Sequence, residues 1–200
     1  MAGTATHHGI PLRSGSGLSY RFDPGALGFE LLPTGGPDWM ARYEVLHAPE
    51  DLRRWVGQSR LDPTPEPEIG AEDVQAARAL RDALWRIGLA RVAGERPADA
   101  DLATLNAAAA RPPLVPLIGP DGAAGWAAPA TGAQVLSTVA RDAIAVLTGP
   151  CADRIRICSG DNCALMYVDT SRPGRRRWCA MENCGNRHKV RAHRARQSGD

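Results

Sequence analysis

The sequence predicts an α+β protein in two parts: a mostly helical N-terminal domain, and a small C-terminal module with four paired cysteines and a basic helix. Apolar residues recur at helical spacing through much of residues 47–148. All five cysteines lie in the last quarter of the 200-residue chain. Residues 1–150 carry 13 arginines and 17 acids, whereas residues 151–200 carry 11 basic side chains and 5 acids. The second part is therefore the one suited to bind an anionic partner.

These features divide the chain into a flexible leader over residues 1–19, a helical domain over 20–150 and the cysteine module over 151–200. The leader lacks the apolar core of a signal peptide, and we expect His7 and His8 in it to be solvated. No run of about 18 apolar residues is present, which argues against a membrane span. We therefore expect a cytoplasmic protein.

The N-terminal half of the helical domain contains two predicted helices. Residues 25–33 (GALGFELLP) alternate loosely in hydrophobicity and predict a strand. Residues 47–61 predict a short helix, because Pro49-Glu50-Asp51 suits a first turn. The clearest helical stripe runs from residue 71 to 92, and Arg81 and Gly88 interrupt its apolar face.

The second half of this domain predicts two further helices with a hairpin between them. The helices cover residues 98–110 and 131–148, and the hairpin turns about Pro120-Asp121-Gly122 within residues 114–129. No catalytic motif is found in residues 1–150. The tryptophans of this part are predicted to be packing residues, although they could instead line an apolar ligand pocket: Trp39, Trp55, Trp85 and Trp126.

Four of the cysteines have the spacing of a metal site. Cys158 and Cys163 enclose four residues, fifteen residues follow, and Cys179 and Cys184 again enclose four. Two matched pairs across a loop can supply a tetrahedral set of thiolates. In a reducing compartment this favours a structural Zn²⁺ over two disulfides, and iron–sulfur clusters usually have tighter cysteine spacings. Four cysteine ligands leave the zinc no open position, so we do not expect an enzyme.

The other candidate ligands near this site are weaker. Cys151 lies seven residues before the first ligand, outside the symmetry of the pairs, and is predicted to be an idle thiol. His188 and His193 fall within the basic C-terminal helix and are better explained as part of it. Residues 165–169 predict a strand, so the module resembles a zinc ribbon or a treble-clef-like finger.

The C-terminal end is strongly basic, and the predicted nucleic-acid-binding residues are its nine basic side chains: Arg172, Arg175, Arg176, Arg177, Arg187, Lys189, Arg191, Arg194 and Arg196. On a helix over residues 186–196, Arg187, Arg191 and Arg194 would share one face. Arginine forms bidentate hydrogen bonds with phosphate and with guanine. A solvated tail without a partner is the alternative. Trp178 could stack on a base, but covering the metal is favoured.

At these residues the chain resembles a known family. The pair Cys158/Cys163, Asp169 and Ser171, the Arg-x-Trp-Cys segment 176–179 and Cys-Gly-Asn-Arg at 184–187 are similar to the CGNR zinc finger. The preceding domain resembles an ABATE domain in length, in order of elements and in its Pro-Glu-Asp-Leu-x-x-Trp segment, so the likeness spans roughly 20–196. The resemblance implies zinc at the four paired cysteines and a bacterial, stress-linked regulator of transcription.

The combined expectation is a bacterial cytoplasmic regulator whose zinc finger contacts nucleic acid, DNA in preference to RNA. The N-terminal domain would serve as a sensor or as a dimerisation body, which makes a homodimer a further partner. Two alternatives stay open at this point: a zinc-stabilised module that binds an acidic protein, and an RNA-binding protein.

Overall fold

The computed structural model describes residues 9–197, so His7 and His8 lie outside the described residues. Its helices are α1 (Leu27–Glu30), α2 (Pro49–Gln58), α3 (Ala71–Ala93), α4 (Asp99–Ala110), α5 (Gly132–Thr148) and α6 (Asn186–Gln197). Its strands are β1 (Ile10–Arg13), β2 (Ser19–Phe22), β3 (Pro116–Ile118), β4 (Ala124–Trp126), β5 (Ile155–Ile157) and β6 (Met166–Val168). Short 3₁₀ turns cover Leu32–Thr34, Asp38–Tyr43 and Ala152–Arg154, and a π-helical turn covers Met181–Gly185. The predicted fold class, a mostly helical domain followed by a four-cysteine module and a basic helix, is confirmed.

The strands form three separate antiparallel pairs, β1 with β2, β3 with β4, and β5 with β6. The predicted hairpin about residues 120–122 is the β3–β4 pair, and the backbone N–H of Gly119 donates to the carbonyl of Ala123 across its turn. Within residues 9–197, no helix combines the length and the apolar composition needed to cross a bilayer.

Helices α3 and α5 form the centre of the body. Both bury an apolar face in the main hydrophobic core, and α4 packs against the two of them. Thr131 caps α5, since its side chain accepts a hydrogen bond from the N–H of Gln134, and Gly94 ends α3 in the left-handed conformation. The helices predicted at 47–61, 71–92, 98–110 and 131–148 are thus confirmed as α2 to α5.

The two interruptions in the α3 stripe each have a structural reason. Arg81 is only 1% exposed, and its guanidinium donates to both carboxylate oxygens of Glu44 at 2.8 and 2.9 Å. Gly88 lies against Met166 of β6, whose sulfur would collide with a Cβ atom. The first interruption is a buried bidentate ion pair, and the second makes room for the C-terminal module.

The strand predicted over residues 25–33 is wrong. This segment forms α1 and the 3₁₀ turn at Leu32–Thr34, and it is buried along almost its whole length. A Cβ atom on Gly28 would lie 2.6 Å from the Cβ of Ala143, so the glycine allows α1 to approach α5 closely. Because apolar residues fall on all sides of this short segment, its sequence does not distinguish a helical pattern from an alternating one.

The leader expected over residues 1–19 is also corrected for its described part. Residues 10–13 form β1, which pairs with β2 in the register Ile10↔Phe22 and Leu12↔Tyr20. Ile10 belongs to the main core, and Tyr20 and Phe22 belong to a second cluster beside the cysteines. The Ser-Gly-Ser-Gly stretch of the expected leader is the turn of this hairpin.

The cysteine module packs directly on the body through β6. Successive side chains of a strand point to opposite faces, and here Met166 and Val168 enter the main core while Tyr167 enters the cysteine cluster. The N–H of Val168 also donates to the carbonyl of Pro24, which joins β6 to the N-terminal segment. One strand therefore connects the two hydrophobic cores.

Candidate metal centre

The four paired cysteines meet at one point. The sulfur atoms of Cys158, Cys163, Cys179 and Cys184 all lie within 4.8 Å of one another, and those of Cys163 and Cys179 are 3.9 Å apart. Four sulfurs at about 2.3 Å from a tetrahedral metal would be about 3.8 Å apart. Disulfide sulfurs would be separated by only about 2 Å, and the cysteines are unpaired. The donor set and its spacing fit a tetrahedral divalent ion.

The first cysteine pair is shaped by the turn between its members. Asn162 adopts a left-handed conformation with φ of 56°, which asparagine tolerates better than most residues. Gly160 lies against the metal ligands, since a Cβ atom there would be 2.7 Å from the sulfur of Cys184. The Ser-Gly-Asp-Asn segment between the first two ligands thus provides both the curvature and the close approach.

Nitrogen donors surround the sulfurs. The N–H groups of Gly160 and Cys179 point at the Cys158 sulfur, at 3.4 and 3.2 Å. The guanidinium of Arg187 donates to the Cys184 sulfur at 3.0 Å. Such donors favour the thiolate over the thiol and so help to hold a metal.

The electrostatics of the sulfur cluster favour a cation in it. The pKa of Cys158 is lowered because it accepts hydrogen bonds from Cys163 and Cys179. Donating those bonds raises the pKa of Cys163 and of Cys179, and burial raises both further. The sulfurs thus compete for protons, whereas a divalent cation would stabilise all four thiolates together.

Aromatic side chains cover the cluster on its body side. Tyr20, Phe22 and Tyr167 are buried in the same group as three of the ligands. Burial raises the pKa of Tyr20, and the charge of Cys179 raises it further, as expected for a hydroxyl close to the sulfurs. Two of these aromatic residues come from β2, so the N-terminal hairpin completes the wall of the metal centre.

Arg176 fixes the loop before the third ligand. Its guanidinium donates to the carbonyls of Trp178, Cys179 and Asp23, at 3.0, 2.5 and 2.9 Å. It also lies 4.1 Å from the centroid of the Tyr167 ring. The structure therefore directs Arg176 into the protein, in contrast to the predicted role of this residue in contacting nucleic acid.

Asp169 holds the same loop from the other side. Its buried carboxylate accepts hydrogen bonds from the backbone and hydroxyl of Ser171, and from the backbone N–H of Arg176 at 2.8 Å. Burial acts to raise the pKa of Asp169, but these hydrogen bonds outweigh it and keep the pKa low. The Asp-x-Ser pattern seen in the sequence is thus a turn that orients the loop.

Trp178 joins the loop to the C-terminal helix. Its ring lies 4.8 Å from the ring of His188, and the guanidinium of Arg177 lies 5.0 Å from it on the loop side. Its Cδ1 is also close to the position of a Cβ on Gly185 in the second cysteine turn. These contacts agree with the favoured role of Trp178 as a cover of the metal centre.

The basic residues of α6 divide between two faces. Arg187 contacts Cys184, and Arg191 forms an ion pair with Asp161 of the first cysteine turn, so this face, which Arg194 shares, is directed at the metal centre. Lys189 and Arg196 lie on the opposite face, and all five side chains are exposed. Two of the three residues predicted to contact nucleic acid from one face, Arg187 and Arg191, therefore also contact the finger itself.

Of the nine predicted basic residues, all but Arg176 are exposed. We call the basic surface the five that lie on the loop or on the side of α6 away from Arg187 and Arg191: Arg172, Arg175 and Arg177 on the loop, and Lys189 and Arg196 on α6. Cys151, His188 and His193 are not part of the four-sulfur cluster. Sequence reasoning missed the inward role of Arg176 and the contribution of β2 to the site. For the role of Arg176, the Asp-x-Ser pattern was the only signal available in the sequence.

The fold and the site define the class: a helical domain fused to a four-cysteine zinc finger. Residues 154–197 match the model of the CGNR zinc finger. Residues 25–150 match that of the ABATE family, described as "Putative stress-induced transcription regulator", and the chain belongs to this family. The resemblance drawn from the sequence is thus confirmed. No curated protein matches the chain.

Proposed function

We propose that the protein is a zinc-stabilised transcription regulator that binds nucleic acid, duplex DNA in preference to RNA, through the basic surface. The observation that carries this proposal is the exposure of five basic side chains on a loop and a helix that pack on one metal centre. The description of the ABATE family as a transcription regulator supports it. Zn²⁺ is the ion that best suits four cysteine sulfurs in tetrahedral array.

Two sets of contacts hold the basic surface in shape before any partner binds. Asp169 and Tyr167 bind the backbone of Arg176 and so fix the loop, with the Tyr167 hydroxyl donating to the carbonyl at 2.9 Å. Arg187 and Arg191 attach α6 to the two cysteine turns. Binding then costs less ordering entropy than it would for a solvated tail.

The metal would have a structural role in this protein. Four sulfurs complete a tetrahedral shell, so no position is left for a substrate or a reactive water. We therefore propose that the protein is not an enzyme. A bacterial cytoplasmic location and a homodimer stay predictions.

A salt titration of DNA binding tests the proposal. If four of the five residues contact phosphates, log K against log[salt] should have a slope of about −3.5. The double variant Arg175→Glu/Lys189→Glu should weaken binding by on the order of a hundredfold and leave the metal content at one ion per chain. Arg96→Glu, an exposed change on the body, is the matched control and should leave the affinity unchanged.

The same experiment separates the alternatives. Absence of binding to duplex DNA at low salt, with tight binding of single-stranded RNA, would favour the RNA-binding alternative. Absence of binding to both, with capture of an acidic protein that resists nuclease treatment, would favour the protein-interaction module. Either result would overturn the DNA proposal without affecting the metal centre.

A further inference from the structure

A cavity of about 550 Å³ lies between the body and the zinc finger. The body contributes Trp39, Tyr43 and Trp55 to its wall, and the finger contributes Cys163 and Arg187. A volume of this size is typical of sites for small molecules. The cavity is also bounded by a metal ligand, so its occupant would touch the metal centre's own residues.

The body side of the cavity exposes aromatic surface. Trp39 and Tyr43 are 52% and 48% exposed, and their rings meet edge to face with centroids 6.3 Å apart. Val45, also on the wall, is 52% exposed. Three large apolar side chains exposed together at the edge of one cavity form a surface that an apolar ligand would cover. The buried Trp55 lines the same cavity.

The charged groups of the wall favour an anion. They are three arginines, Arg13, Arg54 and Arg187, and one acid, Asp51. Asp51 is already paired with Arg54 at 2.8 Å, and hydrogen bonds from the backbone of His47 and Ala48 keep its pKa low. Arg187 already donates to the sulfur of Cys184. Arg13, which donates to a neutral carbonyl, that of Gly17, is therefore the positive charge of the wall best placed to hold an anion.

We propose that this cavity binds a small amphipathic anion: a flat aromatic body that packs on Trp39 and Tyr43, with a carboxylate held by Arg13 or Arg187. A ligand in this position bridges the body and the finger. Through Arg187, which also donates to Cys184, it contacts the helix that carries part of the basic surface. An effect of the ligand on DNA binding rests on the function proposed above, whereas ligand binding itself does not.

Calorimetric titration of the zinc-loaded full-length protein tests ligand binding, with 2-naphthoate as the probe and the neutral 2-naphthylmethanol as its matched control. We expect saturable binding of one 2-naphthoate per chain, and an affinity for the alcohol about tenfold lower. Trp39→Ala should raise the Kd of 2-naphthoate about tenfold, because it removes the largest exposed aromatic contact. Ile118→Ala, an 81% exposed apolar side chain that does not line the cavity, should leave the Kd unchanged.

Three results would overturn the proposed site: no saturable heat up to about 1 mM probe, equal affinity for the acid and the alcohol, or an equal loss in the Trp39→Ala and Ile118→Ala variants. The Arg13→Ala variant gives a second check, since it should weaken 2-naphthoate and not the alcohol. A separate measurement of DNA affinity with and without saturating 2-naphthoate tests the coupling. Unchanged DNA affinity would overturn the coupling alone, and failure of DNA binding would leave the calorimetric result intact.

Discussion

Arg176 points into the protein whereas the adjacent Arg177 is exposed, and this difference gives the sharpest prediction. Arg176 donates three hydrogen bonds to backbone carbonyls and lies over the ring of Tyr167. Each bond contributes about 1 kcal/mol in a partly buried setting, and the cation–π contact about 0.5–1 kcal/mol. Arg176→Ala should therefore lower the free energy of unfolding by about 3–4 kcal/mol. Arg177 has an exposed cation–π contact with Trp178, so Arg177→Ala should cost only about 0.5 kcal/mol.

Urea unfolding of both variants at a fixed zinc concentration measures these costs. The DNA affinity should show the reverse order, since Arg177 belongs to the basic surface and Arg176 does not. Arg177→Ala should weaken DNA binding and reduce the salt slope by about one phosphate contact. Equal costs for the two variants, or a cost below about 1 kcal/mol for Arg176→Ala, would refute the inward placement of Arg176.

Two further predictions concern the metal centre and the buried ion pair of the body. Gly160→Ala places a Cβ atom 2.7 Å from the Cys184 sulfur, so zinc affinity in a chelator competition should fall about 10–100-fold. Gly57→Ala, in open space on α2, should leave it unchanged, and an equal affinity for both would contradict the packing. Glu44→Gln should cost about 3 kcal/mol at pH 7, because it leaves Arg81 buried with a weaker partner. Burial acts to raise the pKa of Glu44, but its hydrogen bonds from Arg81 outweigh this and lower the pKa. The carboxylate therefore stabilises the fold above its unfolded pKa, and this contribution is lost as the pH falls. Chemical denaturation should show a constant gap between wild type and variant above about pH 5, and a gap that shrinks as the pH falls further, towards about pH 3. A gap that stays constant through this lower range would contradict the assignment.

The helices and the metal ligands could be predicted because their signals are local. The stripe of α3 and the first turn of α2 are each contained in one continuous stretch of the sequence. The paired cysteines are likewise recognisable from their spacing alone. The sequence did not indicate β1, because a four-residue strand with Pro11 beside a Ser-Gly-Ser-Gly turn has the composition of a linker.

The placement of the basic residues depends on contacts between distant parts of the chain, which the sequence does not show. Arg176 and Arg177 are identical in type and adjacent in sequence. What separates them is the carbonyl of Asp23, which lies 153 residues away from Arg176 and accepts its hydrogen bond. Similarly, helical periodicity places Arg187 and Arg191 on one face of α6, but only the fold shows that these two side chains contact the cysteine turns.

The central claim is that four cysteine sulfurs bind one metal ion and thereby fix the finger against the body. Native mass spectrometry of freshly purified protein, combined with thiol titration under denaturing conditions, tests it most directly. The account predicts one Zn²⁺ per chain and five titratable thiols after denaturation, and Cys163→Ser should lose the metal where Cys151→Ser retains it. A metal-free chain with one or two disulfides among the four paired cysteines would contradict it.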